Sequence, residues 1–369
     1  MNPSKEFCPN MKCPDRGKIG EGNIGVHSQK ERRCICRTCD KTFSLTRGTA
    51  VYGIKKAHDL FWIVVTLLAF GCPTQAIVAA FGLDERTVRA WMQKSGEHCQ
   101  GVHESFMEQT DLDLEHVQAD EIKIKQQGGT LWMALAIMVS TRLWLGGAVS
   151  EKRDKSLIRR LAGQLMCWAL CRPILLAVDG FGAYPKAFIQ AFRSPLKGEK
   201  GGRPRLIAWA DVNIVQVVKQ RTTGAFSVTR RVKQGCPQQI WELIECSQGD
   251  GTINTAYIER LNATFRQRLA PLVRRTRHLA RLPQTLTCGM YLVGCVYNFC
   301  SEHHSLRLPL YVGERGLRWV QRTPALAAGL TDHCWTLEEL LSFKIAPDPY
   351  QPPKKRGRPR KQTFGEANA

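Results

Sequence analysis

The hydrophobic period changes after residue 113, and that change constrains the fold more than any other feature. Residues 115–125 (EHVQADEIKIK) alternate, with Val117, Ala119, Ile122 and Ile124 apolar. A period of two reads as a strand. Residues 130–140 (TLWMALAIMVS) and 143–150 (LWLGGAVS) follow as two more strands. Residues 154–170 then read as a helix, 173–178 (PILLAV) as a short buried strand ending at Asp179-Gly180, and 184–192 as a helix. Residues 206–218 supply one or two further strands. The set closes on 254–281, where Ile258, Leu261, Phe265 and Leu269 recur at helical spacing. Three antiparallel strands, helix, strand, helix, strand, helix specify an α+β domain built on a mixed sheet.

That order is the order of an RNase H-like domain. In it Asp120 lies on the first strand, Asp179 ends the fourth, and Glu259 sits on the last helix. Three carboxylates at one spot repel unless divalent cations neutralise them. Hard oxygen ligands with open positions suit Mg²⁺ or Mn²⁺ better than zinc. Two such ions activate an attacking water or 3′-hydroxyl and stabilise the leaving oxygen of a phosphodiester. Glu121 competes with Asp120 for the first position, but alternation assigns the two to opposite faces. Asp211 and Asp250 are rivals for the other positions.

The net charge of +21, from 53 basic residues, points to a polyanionic partner, with double-stranded DNA first. The arginines cluster behind Glu259, at Arg266, Arg268, Arg274, Arg275 and Arg277. The longest apolar run is too short to span a bilayer and no secretory segment opens the sequence. The expected setting is therefore cytoplasmic and nucleoid-associated, with no membrane partner.

Fifteen cysteines in a reducing compartment divide into metal ligands and buried thiols. Cys8 and Cys13 form one knuckle (CPNMKC); Cys34, Cys36 and Cys39 form a second (CICRTC). Two knuckles flanking a polar, Gly-rich stretch predict a zinc ribbon over 1–50 with four cysteine ligands. Cys8, Cys13, Cys36 and Cys39 are the preferred set. Cys34 competes with Cys36, and His27 is a substitute ligand. Over 51–110, a short helix at 74–81, a turn at Gly82-Leu83-Asp84 and a helix at 85–94 read as a helix-turn-helix. Arg86, Thr87 and Arg89 would then face DNA.

These phrases together resemble a DDE transposase of a bacterial insertion sequence, of the kind with an N-terminal zinc ribbon. The likeness rests on CPxxxC…CxxCxxxF, ADEIKIK around Asp120, LAVDGFGAY around Asp179 and YIERLNATFRQRLAPLVRRTRH around Glu259. It continues through YNFCSEHHSLR and RTPALAAGLTDHCWTLEELL. The resemblance implies a catalytic domain over 111–310, with a basic insertion near 194–206, and a C-terminal helical extension over 311–345. It implies binding of terminal inverted repeats, then metal-dependent cleavage and strand transfer by Asp120, Asp179 and Glu259, by at least two protomers on transposon-end and target DNA. Asn262 would flank the site and Arg266 would face phosphate. The 80-position interval between Asp179 and Glu259 departs from the pattern. The competing expectations are a non-catalytic DNA-binding regulator and an RNase H-like nuclease or resolvase.

Residues 346–369 read as a disordered basic tail, in which Arg358 and Arg360, preceded by Arg356, belong to a Gly-Arg-Pro-Arg motif. The motif fits either an AT-hook entering the minor groove or a sequence-blind phosphate clamp.

Overall fold

The computed structural model describes residues 1–196, 203–222, 225–249, 251–311, 313 and 316–352. It divides into two compact units, Met1–Gly48 with the segment from Lys344, and Thr49–Phe343.

The smaller unit is built on three short antiparallel strands, β1 (Ile24–Ser28), β2 (Arg33–Cys36) and β3 (Thr42–Ser44), in that order. Its buried cluster is Cys8, Cys13, Ile24, Cys34, Cys36 and Phe43. So few apolar groups cannot offset the entropy of ordering the chain without a cross-link. The segment after Lys344 belongs to this unit. The Lys344 ammonium pairs with the carboxylate of Glu6, which is nearly buried. Gly17, at φ +75°, lies so close to the Pro347 carbonyl that a Cβ would approach its oxygen to 2.3 Å. Pro347, within the stretch expected to be disordered, is therefore packed. Arg356, Arg358 and Arg360 lie outside the described residues, as does Asp250.

The larger unit opens with α1 (His58–Ala69), α2 (Thr74–Phe81) and α3 (Glu85–Glu108). Then come β4 (His116–Gln126), β5 (Gly129–Met138), β6 (Trp144–Ser150), α4 (Lys155–Trp168), β7 (Ile174–Asp179) and α5 (Ala183–Ala191). A small ribbon, β8 (Arg193–Leu196) with β9 (Arg205–Ala208), precedes the long hairpin β10 (Val212–Thr222) and β11 (Ala225–Gln234). The helices α6 (Pro237–Gln248), α7 (Ala256–Arg268) and α8 (Pro283–Cys295) follow. The exposed ribbon β12 (Leu308–Tyr311) and β13 (Leu317–Val320) and the short α9 (Pro324–Ala327) and α10 (Leu337–Ser342) end the unit. The main sheet is mixed and six-stranded, in the order β11-β10-β7-β4-β5-β6. Its β7 runs parallel to both β4 and β10, and the remaining pairs are antiparallel. The chain is thus α+β. Among the described residues no helix is long and apolar enough to cross a membrane.

Burial alternates only at the end of β4, from Ile122 to Lys125; over 116–119 the strand is buried on both faces. Val117, Ala119, Ile122 and Ile124 are at most 1% exposed. The interval after Asp179 does not read as one insertion. It holds two ribbons and α6, whose Ile240 and Ile244 pack on Leu175, Ala177 and Val215. The expected helical extension over 311–345 begins instead with the last residue of β12 and with β13, and only then turns helical.

The expected turn at 82–84 is formed as read. Gly82 takes a left-handed conformation at φ 59°, and the Asp84 carboxylate caps α3 by accepting from the Arg86 amide at 2.7 Å. However, α3 runs to Glu108 rather than ending near 94. Its second half is buried through Ser95, Gly96, Cys99, Val102, His103 and Met107, and packs on α8. The helices touch at Gly96, where a Cβ would meet the Cys288 carbonyl oxygen at 2.3 Å. Gly96→Ala is expected to force the pair apart and lower stability by roughly 1–3 kcal/mol. A thermal midpoint equal to that of the parent would refute this packing.

Candidate functional site

The acidic site follows from strand register. The parallel ladder pairs His116 with Leu175 and ends with Ala119 beside Val178. The next residues, Asp120 and Asp179, therefore emerge as neighbours where the ladder stops. Ligand oxygens of Asp120, Glu121 and Asp179 lie within 4.8 Å of one another, close enough to share a cation. Asp120 accepts from Asn262 Nδ2 at 2.8 Å, so α7 holds one carboxylate oxygen in place. Burial, with the charges of Glu121 and Asp179, pushes the Asp120 carboxyl up to about 7. Asp179 accepts from the Phe181 amide at 2.9 Å and from Arg153 at 3.1 Å.

Alternation assigned Glu121 to the opposite face; its carboxylate instead joins the acidic group. Past Ala119 the pairing of β4 with β7 stops, and two methylenes let a glutamate reach round the edge opened there. There it pairs with Arg153 and accepts from the Tyr184 hydroxyl at 2.7 Å. Burial and the charge of Asp179 raise the Glu121 carboxyl. Arg153 thus spans Glu121 and Asp179, with its guanidinium 4.3 Å from the Phe181 ring centre. Nothing in the sequence around Arg153 marked it.

Glu259 stands apart from this group. The buried Gln118 of β4 fixes where α7 begins: its side-chain oxygen accepts from the Tyr257 and Ile258 amides at 3.0 and 3.1 Å. Its amide donates to the Asn254 carbonyl at 3.0 Å. Glu259, in the first turn, is paired with Lys219 of β10 and accepts from the Thr255 hydroxyl at 2.6 Å. Burial acts to raise its carboxyl, but Lys219 and Thr255 outweigh it and leave the group lowered. Its charge still contributes to the rise at Asp120. Asp211, the rival acid, lies at the opposite end of β7, where its carbonyl accepts from the Ile174 amide at 2.9 Å.

The basic residues fall into distinct places. Arg266 is half-buried; burial and the charge of Arg274 lower its guanidinium, and Asp120 acts in the opposite sense. Arg274, Arg275 and Arg277 are exposed on a segment whose Ala280 amide donates to the Lys125 carbonyl of β4 at 3.0 Å. Arg268 points elsewhere, 4.5 Å from the Phe70 ring centre. On α3, Arg86 is exposed, Thr87 is half-buried, and Arg89 is exposed but paired with Glu85. Trp209 packs edge-on against Phe192 in the core.

The second cluster holds sulfur. The Sγ atoms of Cys8, Cys13, Cys36 and Cys39 lie within 4.8 Å of one another. Two of the edges measure 3.7 Å (Cys8–Cys39) and 3.8 Å (Cys13–Cys36). A tetrahedron with Zn–S bonds of about 2.3 Å has S···S edges of about 3.8 Å. Burial raises the Cys8 and Cys13 thiols, against amide hydrogen bonds from Asn10 and Asp15, while Cys39, hydrogen-bonded by Asn10 and by the Lys41 amide, is lowered to about 7. The four cysteines can hold a tetrahedral metal such as zinc. Cys34 is buried outside the group, and His27 is exposed on β1. The choice that spacing left open falls on Cys36.

No protein-family model matches the chain, and no curated protein matches it.

Proposed function

We propose that the chain is a divalent-metal-dependent enzyme that cleaves and joins DNA strands, a DDE transposase with an RNase H-like catalytic domain. The observation that carries this reading is the closeness of Asp120 and Asp179 where the β4–β7 ladder ends, beside a helix that bears Glu259. The strand order β6-β5-β4-β7-β10, with α4 and α5 in the connections, supports it, and β11 is then an added edge.

Asp120, Asp179 and Glu259 would hold Mg²⁺ or Mn²⁺, which supplies the Lewis acid for in-line attack on a phosphodiester. Asn262 keeps the Asp120 oxygens oriented. Arg266, near enough to feel the Asp120 charge, would receive the phosphate, and Arg274, Arg275 and Arg277 the flanking backbone. The α2–α3 turn would present Arg86, Thr87 and Arg89 to the terminal repeats. Zinc on Cys8, Cys13, Cys36 and Cys39 would staple the ribbon. Two or more protomers would assemble on the two element ends, in the cytoplasm with the nucleoid.

The test is incubation of the full chain with Mg²⁺ and a supercoiled plasmid carrying the DNA that flanks its gene. Nicked and joined products are expected. Binding without cleavage would favour a second reading, a non-catalytic DNA-binding protein. Arg153 across Glu121 and Asp179, and Lys219 on Glu259, already neutralise the acids in the manner of a structural network.

A further inference from the structure

The two sides of α7 differ. Glu259, Asn262 and Arg266 project toward the acids, while Tyr257, Arg260 and Arg268 lie about half a turn away on the opposite face. That second face meets Arg142, from the turn between β5 and β6, and the segment that carries Tyr297 and His303. Arg142 adopts φ 61°, a left-handed conformation that a non-glycine residue rarely takes and that costs free energy. The strained backbone lays its guanidinium over the Tyr257 ring, 4.1 Å from the centroid. Its Nη1 is buried and has no hydrogen-bond partner. A guanidinium nitrogen out of water and without an acceptor is costly unless an anion supplies one.

Among the described residues the surroundings contain positive charge and no carboxylate paired with it. Arg142, Arg260 and Arg268 all act electrostatically on Tyr297 and on His303. None of the three forms an ion pair with a carboxylate among the described residues. Among the described residues Arg268 has long contacts of 3.4 and 3.5 Å to the Ser301 hydroxyl, besides its stacking on Phe70.

We infer that Arg142, Arg260 and Arg268, with Tyr257, Tyr297 and His303, form a phosphate-oxyanion site on the face of α7 turned away from the acids. The ligand chemistry is a phosphate ester or free polyphosphate, held by guanidinium N–H donors. The site does not depend on the cleavage chemistry proposed above.

His303 supplies an internal reporter. Burial and the three guanidinium groups push its imidazole down to about 4, so it is neutral at pH 7. An anion seated among the arginines offsets their charge and moves the His303 midpoint upward. The experiment is NMR titration of the His303 ring in the full chain, alone, with tripolyphosphate, and with a short DNA duplex. The expected result is a higher His303 midpoint with at least one ligand. A response to duplex identifies a backbone phosphodiester, and a response to tripolyphosphate alone a small phosphate compound.

Arg142→Gly deletes the guanidinium and suits the left-handed backbone, so the fold is retained. It should abolish the His303 response and weaken binding about tenfold or more. For duplex it should reduce the salt slope by about one. Arg142→Lys should restore part of the affinity. Asp120→Asn should leave the His303 response intact even where cleavage is lost, which separates this site from the acidic one. A His303 midpoint unmoved by both saturating ligands, or an Arg142→Gly protein that binds both as the parent does, would overturn the inference.

Discussion

Asp120→Asn and Asp179→Asn proteins are expected to lose Mg²⁺-dependent strand cleavage by roughly 10³-fold or more, about 4 kcal/mol of barrier, while binding DNA nearly as the parent does. The two acids emerge together where the β4–β7 ladder stops, and the neighbouring Glu121 is held by Arg153 and Tyr184. Glu259→Gln is expected to behave alike. Full activity in any one of the three removes that residue from the catalytic set.

Asp120 also has a signature that needs no substrate. Its carboxyl stands at about 7 in the folded protein against an ordinary 3.8. The folded state therefore holds this proton more tightly than the unfolded chain. Below the ordinary value the group imposes no penalty. As pH rises toward the folded value the carboxylate is increasingly forced to ionise beside Glu121 and Asp179, and stability falls. The penalty is complete above about pH 7 and amounts to about 4 kcal/mol. Without divalent cations, Asp120→Asn should raise the thermal midpoint at pH 8 and leave it unchanged near pH 3. Adding Mg²⁺ at pH 8 should stabilise the parent more than the variant. Equal responses of the two proteins to Mg²⁺ would show that Asp120 is not a ligand.

The second large effect concerns the sulfur cluster. The protein is expected to carry one zinc per chain. Its removal should unfold β1–β3, because structural zinc contributes about 10–16 kcal/mol to such small domains. Chelation should abolish the amide protection of 24–44 while leaving that of the main sheet. Cys36→Ser should lose the metal and Cys34→Ser should keep it, since Cys34 lies outside the four-sulfur group. Stoichiometric zinc in Cys36→Ser, or an intact strand pattern after verified metal removal, would contradict the assignment.

The legible parts of the fold were those with local causes. Alternation marked the end of β4, because there one face of the strand is buried in every second residue. The Gly82–Asp84 turn was readable because a left-handed glycine and an aspartate cap act within three residues. The two cysteine knuckles were visible because metal ligands recur at short spacing. The length of α3 was not legible. Its polar second half becomes helical core only because α8 arrives at Gly96 from nearly two hundred residues away. The π-helical stretch Val296–Cys300 and the strands β8 and β11 carried no clear period either.

The site divides along the same line. The sequence by itself marked the candidate acids, the arginine-rich helix, the two cysteine knuckles and much of the strand–helix order, because residue type and local period suffice for these. Only the tertiary structure decided that Asp120 sits beside Asp179, that Glu121 swings into their group, and that Arg153 and Lys219 neutralise the carboxylates. It also decided that Gln118 anchors α7, and that Arg142 turns an unpaired nitrogen toward the helix's other face. The physical reason is range. Periodicity and capping are set over a few residues, whereas the register of two parallel strands and the reach of a side chain past a strand end depend on partners distant in the chain.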